Sequence, residues 1–420
     1  MLMRKDDPRF QADQLFRSEY GKVVAGLVRS YGTAQLENIE DAVQEALLKA
    51  MQYWGFTEMP REPTAWLYKV ARNQLIDRLR KDQRVGALSD RIIPKPSDYG
   101  GMDLSSIDGT IGDSQLRMIF ACCHPALSTQ HQLILGLKLI GGFSNRELAL
   151  ALLKNEEAVA KAFTRAKRKL KQKIKNLDSP VEIGLRSRLF VVMRVIYLLF
   201  SEGYSANSGT QIIKKDICYE AIRLALLLRE NRFCRHEQLE ALVALMCFHT
   251  SRFEARQDVR GQLVDLEHQD RSLYNRELIR IGQQHLELAA EMQQQDSQYY
   301  LEAAVSYEHC RAATFEDTNW KAILDLYDRQ LQFIHSPIVS LNRLVPYLMV
   351  YGPAKALAEY RLYEQGPDFH PGALSFAILA EIQTGLGRFP EAREALGKAI
   401  HSSKNTIERR HFKKKLAALG

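Results

Sequence analysis

Apolar residues recur every three to four positions along most of the chain, and strict alternation is scarce, so the pattern predicts an all-α protein. In "ENIEDAVQEALLKAMQYW", 37–54, Ile39, Ala42, Val43, Ala46, Leu47, Ala50, Met51 and Trp54 draw one stripe down a helix. The other face holds Glu40, Asp41, Gln44, Glu45 and Leu48, the last a large apolar residue among polar ones. A second helix is predicted over "PTAWLYKVARNQLIDRLRKDQR", 63–84, where Pro63 and Thr64 suit a start. Leu67, Val70, Ala71, Leu75 and Leu79 form its buried stripe. Lys69, Arg72, Asn73, Asp77, Arg80 and Lys81 lie on its other faces, with Trp66 and Tyr68 among them. Aromatics among cations suit stacking on unpaired bases; a plain core position for Trp66 fits as well.

The stretch "GGFSNRELALALLKNEEAVAKAFTRAKRKLKQKIK", 141–175, predicts two short helices and a tight turn. Ser144 with Glu147 has the form of a capping box. Asn155 suits the N-cap of the second helix, which buries Val159, Ala162, Phe163, Ala166, Leu170 and Ile174. Its open side carries Lys161, Arg165, Lys167, Arg168, Lys171 and Lys175, and residues 161–175 contain eight basic residues and no acid. Such a run repels itself unless a polyanion covers it, so the pattern reads as a DNA-binding helix-turn-helix rather than as a solvated basic face.

These blocks set the domain organisation. Residues 12–84 and 113–177 are helical, and residues 85–112, with two prolines and five glycines, read as a linker. Residues 180–420 form a long third region, helical throughout. Within it, "YGPAKALAEY" at 351–360 and "RFPEAREALG" at 388–397 repeat weakly and suggest stacked, tetratricopeptide-like helix pairs. The most apolar run, "LFVVMRVIYLLF" at 189–200, is too short to span a bilayer and contains Arg194, so a buried helix is expected and no membrane contact. "MLMRKDDPRF" has no apolar core after its basic residues, so no signal peptide is expected. Six cysteines without framework spacing suggest reduced thiols and a cytoplasmic protein.

Charge sharpens the division. The net charge is +8; residues 1–180 hold 28 Lys+Arg against 21 Asp+Glu, and the remainder holds 30 against 29. The basic excess thus sits in the first two blocks, as nucleic-acid binding requires.

One cluster suggests different chemistry. "ACCHPALSTQH", 121–131, offers Cys122, Cys123, His124 and His131, all zinc-ligand types. Adjacent cysteines on a helix point about 100° apart, which suits one tetrahedral site poorly. Leu116, Ile119, Phe120 and Cys123 instead space as one stripe ended by Pro125, so buried thiols at a helix corner are expected and no metal. Asp265, His268 and Asp270, and Glu202 with Tyr204, lie close in sequence; local caps explain them better than catalysis. No nucleotide-binding glycine motif appears, so no cofactor and no enzymatic activity are expected.

Together, "DAVQEALLKAM" and "WLYKVARNQLIDRLRK" resemble region two of bacterial RNA polymerase sigma factors of the extracytoplasmic-function type. "GGFSNRELALALLKNEEAVAKAFTRAKRKL" resembles their region four. "CCHPAL", "YLLFSEGYSANSG" and "HQDRSLYN" are similar to signatures of a subgroup with a long tetratricopeptide-like C-terminal extension. The resemblance implies that residues 12–84 bind core polymerase and the minus-ten element, and that 113–177 bind the minus-thirty-five element. It implies docking on the β′ clamp helices and the β flap, with Asp41, Gln44, Glu45, Leu48 and Met51 facing the polymerase. It implies that "GFTEMPRE" and the helix after it open and read the minus-ten DNA, through Trp66, Tyr68, Asn73 and Asp77 with Arg72 and Arg80 on phosphates. Ala160, Lys161, Thr164 and Arg165 would read the minus-thirty-five element, with Lys167, Arg168 and Lys171 on its backbone. Ala160 and Thr164 are smaller than the residues usual there, which leaves the promoter sequence open. Residues 180–420 are expected to contact the sigma domains and regulate them in cis. The alternative is a helix-turn-helix regulator with a helical effector domain, which leaves 37–84 unexplained.

Overall fold

The computed structural model describes residues 8–54, 60–85, 114–152, 154–175, 177, 182–204, 215–258, 263–292, 296–333, 336–366, 369–403 and 406–419. Among these residues there is no strand, only one isolated bridge between Gln257 and Leu263. The expected linker at 85–112, the first five residues of "GFTEMPRE" and the end of "YLLFSEGYSANSG" lie almost wholly outside them. The chain forms two compact units, the first ending at Arg235 and the second beginning at His236 among the described residues.

The first unit opens with α1 (Pro8–Tyr31), α2 (Leu36–Trp54) and α3 (Pro63–Val85), which pack on one another. Val23, Val24, Leu27 and Val28 of α1, Ile39, Val43, Ala46 and Leu47 of α2, and Leu67, Ala71 and Leu75 of α3 are all buried. These are the predicted stripes, except that Met51 is exposed and Trp54, Val70 and Leu79 are half-buried. Next come α4 (114–122), α5 (Thr129–Leu139), α6 (Asn145–Ala151) and α7 (Glu156–Lys173).

Two further helices, α8 (Glu182–Tyr204) and α9 (Lys215–Glu230), belong to this same unit. Val192, Met193, Val195, Ile196, Leu199 and Phe200 of α8 are buried, as the apolar run at 189–200 predicts. Gly136 of α5 faces Val195 so closely that a Cβ there would clash. Arg188 of α8 donates to the Phe120 carbonyl at 3.0 Å, and Arg223 of α9 donates to the Gln115 side chain.

The second unit is built on α10 (Glu237–Ser251), apolar on every side and buried along its length. Such a helix must be covered all round; α11 (Arg276–Met292) and α12 (Gln298–Arg311) pack on it. The "HQDRSLYN" stretch clamps this core. Buried Arg271 donates to the carbonyls of His309 (2.9 Å) and Ala312 (2.8 Å), while Gln269 accepts from Tyr274 at 2.9 Å. Beyond lie α13 (Trp320–Leu331), α14 (Pro337–Tyr351), α15 (Pro353–Glu364), α16 (Ala373–Gly385), α17 (Phe389–Ser402) and α18 (Thr406–Ala418). Helix α16 gives Ile378 and Ile382 to a core with α14 and α15, and Ala380 to the next core with α17 and α18. Gly352 (φ 80°) and Gly387 (φ 71°) make the turns into α15 and α17, and each helix has a proline in its first turn. No helix among the described residues is long and apolar enough to cross a membrane.

Candidate nucleic-acid interface

Burial of the α2 stripe forces its other face outward. Asp41, Gln44, Glu45, Leu48 (57% exposed) and Met51 (44%) form a solvent-facing ridge of acids ending in two large apolar side chains. A residue the sequence did not single out orders this ridge. Arg78 of α3 reaches across to Asp41 at 2.9 Å and also pairs with Glu45. Only the packing of α2 on α3 reveals it, because no spacing within one helix brings Arg78 near either acid. Its partial burial works against the guanidinium charge, and the two carboxylates outweigh that and raise its pKa.

On α3 the candidate DNA residues divide. By helical geometry Trp66, Asn73, Asp77 and Arg80 share one face, while Arg72 lies about 120° round from Trp66 and Tyr68 about 160° round. Trp66 is half-buried, its ring centroid 5.1 Å from that of Trp54. Tyr68 is half-buried too, and its hydroxyl meets Ser30 of α1 at 3.2 Å. Asn73, Asp77 and Arg80 are exposed.

The helix pair α6–α7 is locally specified as expected. Ser144 accepts from the Glu147 backbone N–H at 3.2 Å, and the Glu147 carboxylate accepts from the Ser144 backbone N–H at 2.9 Å. The Asn155 side chain accepts from the Ala158 N–H at 2.7 Å and starts α7. Val159, Ala162, Phe163, Ala166 and Leu170 are buried. Lys161, Thr164, Arg165 and Arg168 face solvent, and Ala160 is half-buried. Lys161 pairs with Glu157 at 2.5 Å, and the Thr164 hydroxyl donates back to the Ala160 carbonyl at 3.1 Å.

Lys167 and Lys171, expected on the open side, are half-buried against α2. Lys167 Nζ lies 2.6 Å from Glu40 Oε2 and 4.7 Å from the Phe163 ring centroid, and Lys171 pairs with Glu37. Thr33 donates its backbone N–H to the Lys175 carbonyl at 3.0 Å and its hydroxyl to the Ile174 carbonyl. A one-helix pattern cannot show this, because the acids come from the other block.

"ACCHPALSTQH" forms the corner between α4 and α5. Cys122 and Cys123 are buried, and burial pushes the Cys123 thiol up to about 12, against the nearby charge of Arg188. His124 accepts from the Ala126 N–H at 3.1 Å and Ser128 caps α5. Gln132 donates to the Cys123 and His124 carbonyls. Among the described residues no three His, Cys, Asp or Glu side chains gather as a metal site needs. In the second unit Asp265 binds His411 (3.0 Å) and Lys415 (3.2 Å), whereas Asp270 caps Ser272 and His268 is exposed, so these three do not converge.

Over 385 residues, 91% of this chain and 90% of the relative, the sequence is 34% identical to an uncharacterized protein of Rhizobium meliloti. The chain belongs to that protein's family. Its residues 16–85 match the family model described as Sigma-70 region 2, and residues 188–290 match a family of unknown function (DUF6596). Over 123 residues, 29% of this chain and 65% of the relative, it is 30% identical to the ECF RNA polymerase sigma factor SigL of Mycobacterium tuberculosis. No solved structure matches. The region 2 match spans α2 and α3, so the acidic ridge and the Asn73–Asp77–Arg80 face both lie on a sigma-70 region 2.

Proposed function

We propose that this protein is an RNA polymerase sigma factor of the extracytoplasmic-function type, with a long helical extension that regulates it in cis. The observation that carries the reading is the α2 ridge inside the sigma-70 region 2. Acids beside exposed Leu48 and Met51 make a patch suited to docking another protein, here the clamp helices of core polymerase. Helix α3 then meets the opened minus-ten strand through Trp66, Asn73, Asp77 and Arg80. Capture of unstacked bases offsets an unstacking cost of a few kcal/mol. Helix α7, the second of a helix-turn-helix, enters the major groove of the minus-thirty-five element. Lys161, Thr164 and Arg165 face the bases there, and Arg168 holds phosphate.

Polymerase performs the chemistry, so this chain contributes binding energy alone. Cis regulation is supported by the way α8 and α9 pack against α4 and α5, through Arg188, Val195 and Arg223. The test is core-polymerase capture with the wild type and the Leu48→Ala/Met51→Ala pair. Loss of the two apolar side chains is expected to weaken capture about tenfold, equivalent to ~1.4 kcal/mol. Absence of any capture by the wild type would favour a promoter-binding regulator.

A further inference from the structure

We infer that Glu37 and Glu40 form an ionic latch that closes the DNA-binding helix α7 onto α2, and that the chain cannot occupy duplex DNA with Lys167 and Lys171 while the latch is shut. The inference rests on the sigma-factor reading for what the latch controls; the latch itself rests on geometry. Lys167 and Lys171 lie one turn apart on α7, and Glu40 and Glu37 one turn apart on α2, so the two pairs register antiparallel. They are unequal. The Lys167 and Glu40 side chains are only 14% and 8% exposed, whereas Glu37 is 60% exposed. The inner pair therefore holds and the outer one aligns.

The surroundings make the contact a fitted one. Gly21 of α1 lies so close to the Ile140 carbonyl at the end of α5 that any Cβ would clash. Thr33 ties the end of α7 to the start of α2. Lys138 joins Lys167 over the Phe163 ring, at 5.1 Å and 4.7 Å. Burial pushes the Lys138 ammonium below its ordinary range, opposed by Glu40, as expected where water is excluded.

An ammonium can serve a carboxylate or a phosphate, and here the two carboxylates occupy the place a DNA backbone would take. The latch holds α7 in direct contact with α2. Glu37 also lies one turn before Asp41, so the latch ends where the polymerase-docking ridge begins. The ridge stays exposed in the closed form, which gives an order of events: polymerase docks on α2 first, and α7 is released afterwards. In the free chain the apparent affinity for duplex falls in proportion to the fraction that is open.

The test uses the full chain without polymerase. Spin labels at Gln52→Cys on α2 and Lys169→Cys on α7 report the distance between the helices, and a short generic DNA duplex at low salt reports binding. The wild type is expected to give one short distance. Glu37→Gln/Glu40→Gln is expected to add a long-distance population and to bind the generic duplex about tenfold tighter, as when a chain nine-tenths closed is freed. Because Glu40 also contacts Tyr20 and its loss could disturb the fold, Glu37→Gln/Thr33→Val serves as a second opening variant and is expected to shift both readouts the same way. The exchange Glu37→Lys/Glu40→Lys/Lys167→Glu/Lys171→Glu is expected to restore the short distance. Short distances and unchanged duplex affinity in both opening variants would overturn the latch. Neither readout needs a promoter or polymerase, so that outcome is separate from failure of the sigma-factor reading.

Discussion

Lys167 carries more of the structure than its neighbours on α7. Removing its ammonium strips the charge partner at 2.6 Å from a nearly buried carboxylate, whereas Lys171 pairs with an exposed one. Lys167→Ala is therefore expected to lower unfolding stability by about 1–3 kcal/mol and Lys171→Ala by under ~1 kcal/mol, as read by urea denaturation. In the second unit two imidazoles are held neutral. Burial, then the charges of Arg252 and Arg256 for His249 and of Arg252 and Arg271 for His309, push both from 6.5 to about 3. The unfolded chain takes up these protons near pH 6.5 and the folded chain does not until about pH 3, so stability falls on acidification across that window. Asp265 adds a loss at lower pH. Burial raises its pKa, but His411 and Lys415 overcome that and hold it at about 2, so its contribution is lost as pH falls from its ordinary 3.8 towards 2. Urea midpoints of the wild type at pH 7.5, 5 and 3.5 are expected to fall in that order, and His249→Phe, which carries no proton, to flatten the first step.

At the scale of elements, most of the fold was legible. The stripes of α2, α3 and α7, the Ser144–Glu147 box and the Asn155 cap are one-helix features, set by side chains three or four residues apart, and sequence shows such features directly. Arg78 bridging Asp41 and Glu45, and Glu40 meeting Lys167, join residues 33 to 127 positions apart, and no local period encodes them. Hence the sequence assigned Lys167 and Lys171 to an open face. The short run "CCHPAL" was legible as a corner because adjacent cysteines diverge on a helix. Two element-level predictions follow from the caps and crossings. Asn155→Ala is expected to cost ~1 kcal/mol and to weaken generic duplex binding, since the first turn of α7 positions Lys161. Gly21→Ala is expected to cost roughly 1–3 kcal/mol, because the new methyl meets a backbone carbonyl that cannot rotate away.

For the whole molecule, the unit boundary matters more than the sequence boundary near residue 180. Helices α8 and α9 belong to the first unit, so cutting after Asp178 would expose the apolar side of α5 that faces Val195. A chain ending at Arg235 is expected to stay folded and monodisperse by circular dichroism and size exclusion, while one ending at Asp178 is expected to aggregate. The proposed role of this chain is to direct polymerase to promoters. Run-off transcription with bacterial core polymerase on a promoter library tests it most directly. Discrete starts that require the chain are expected, weakened about tenfold in the Leu48→Ala/Met51→Ala variant. Transcripts no different from those of core polymerase alone, from a chain that still binds duplex DNA, would contradict it.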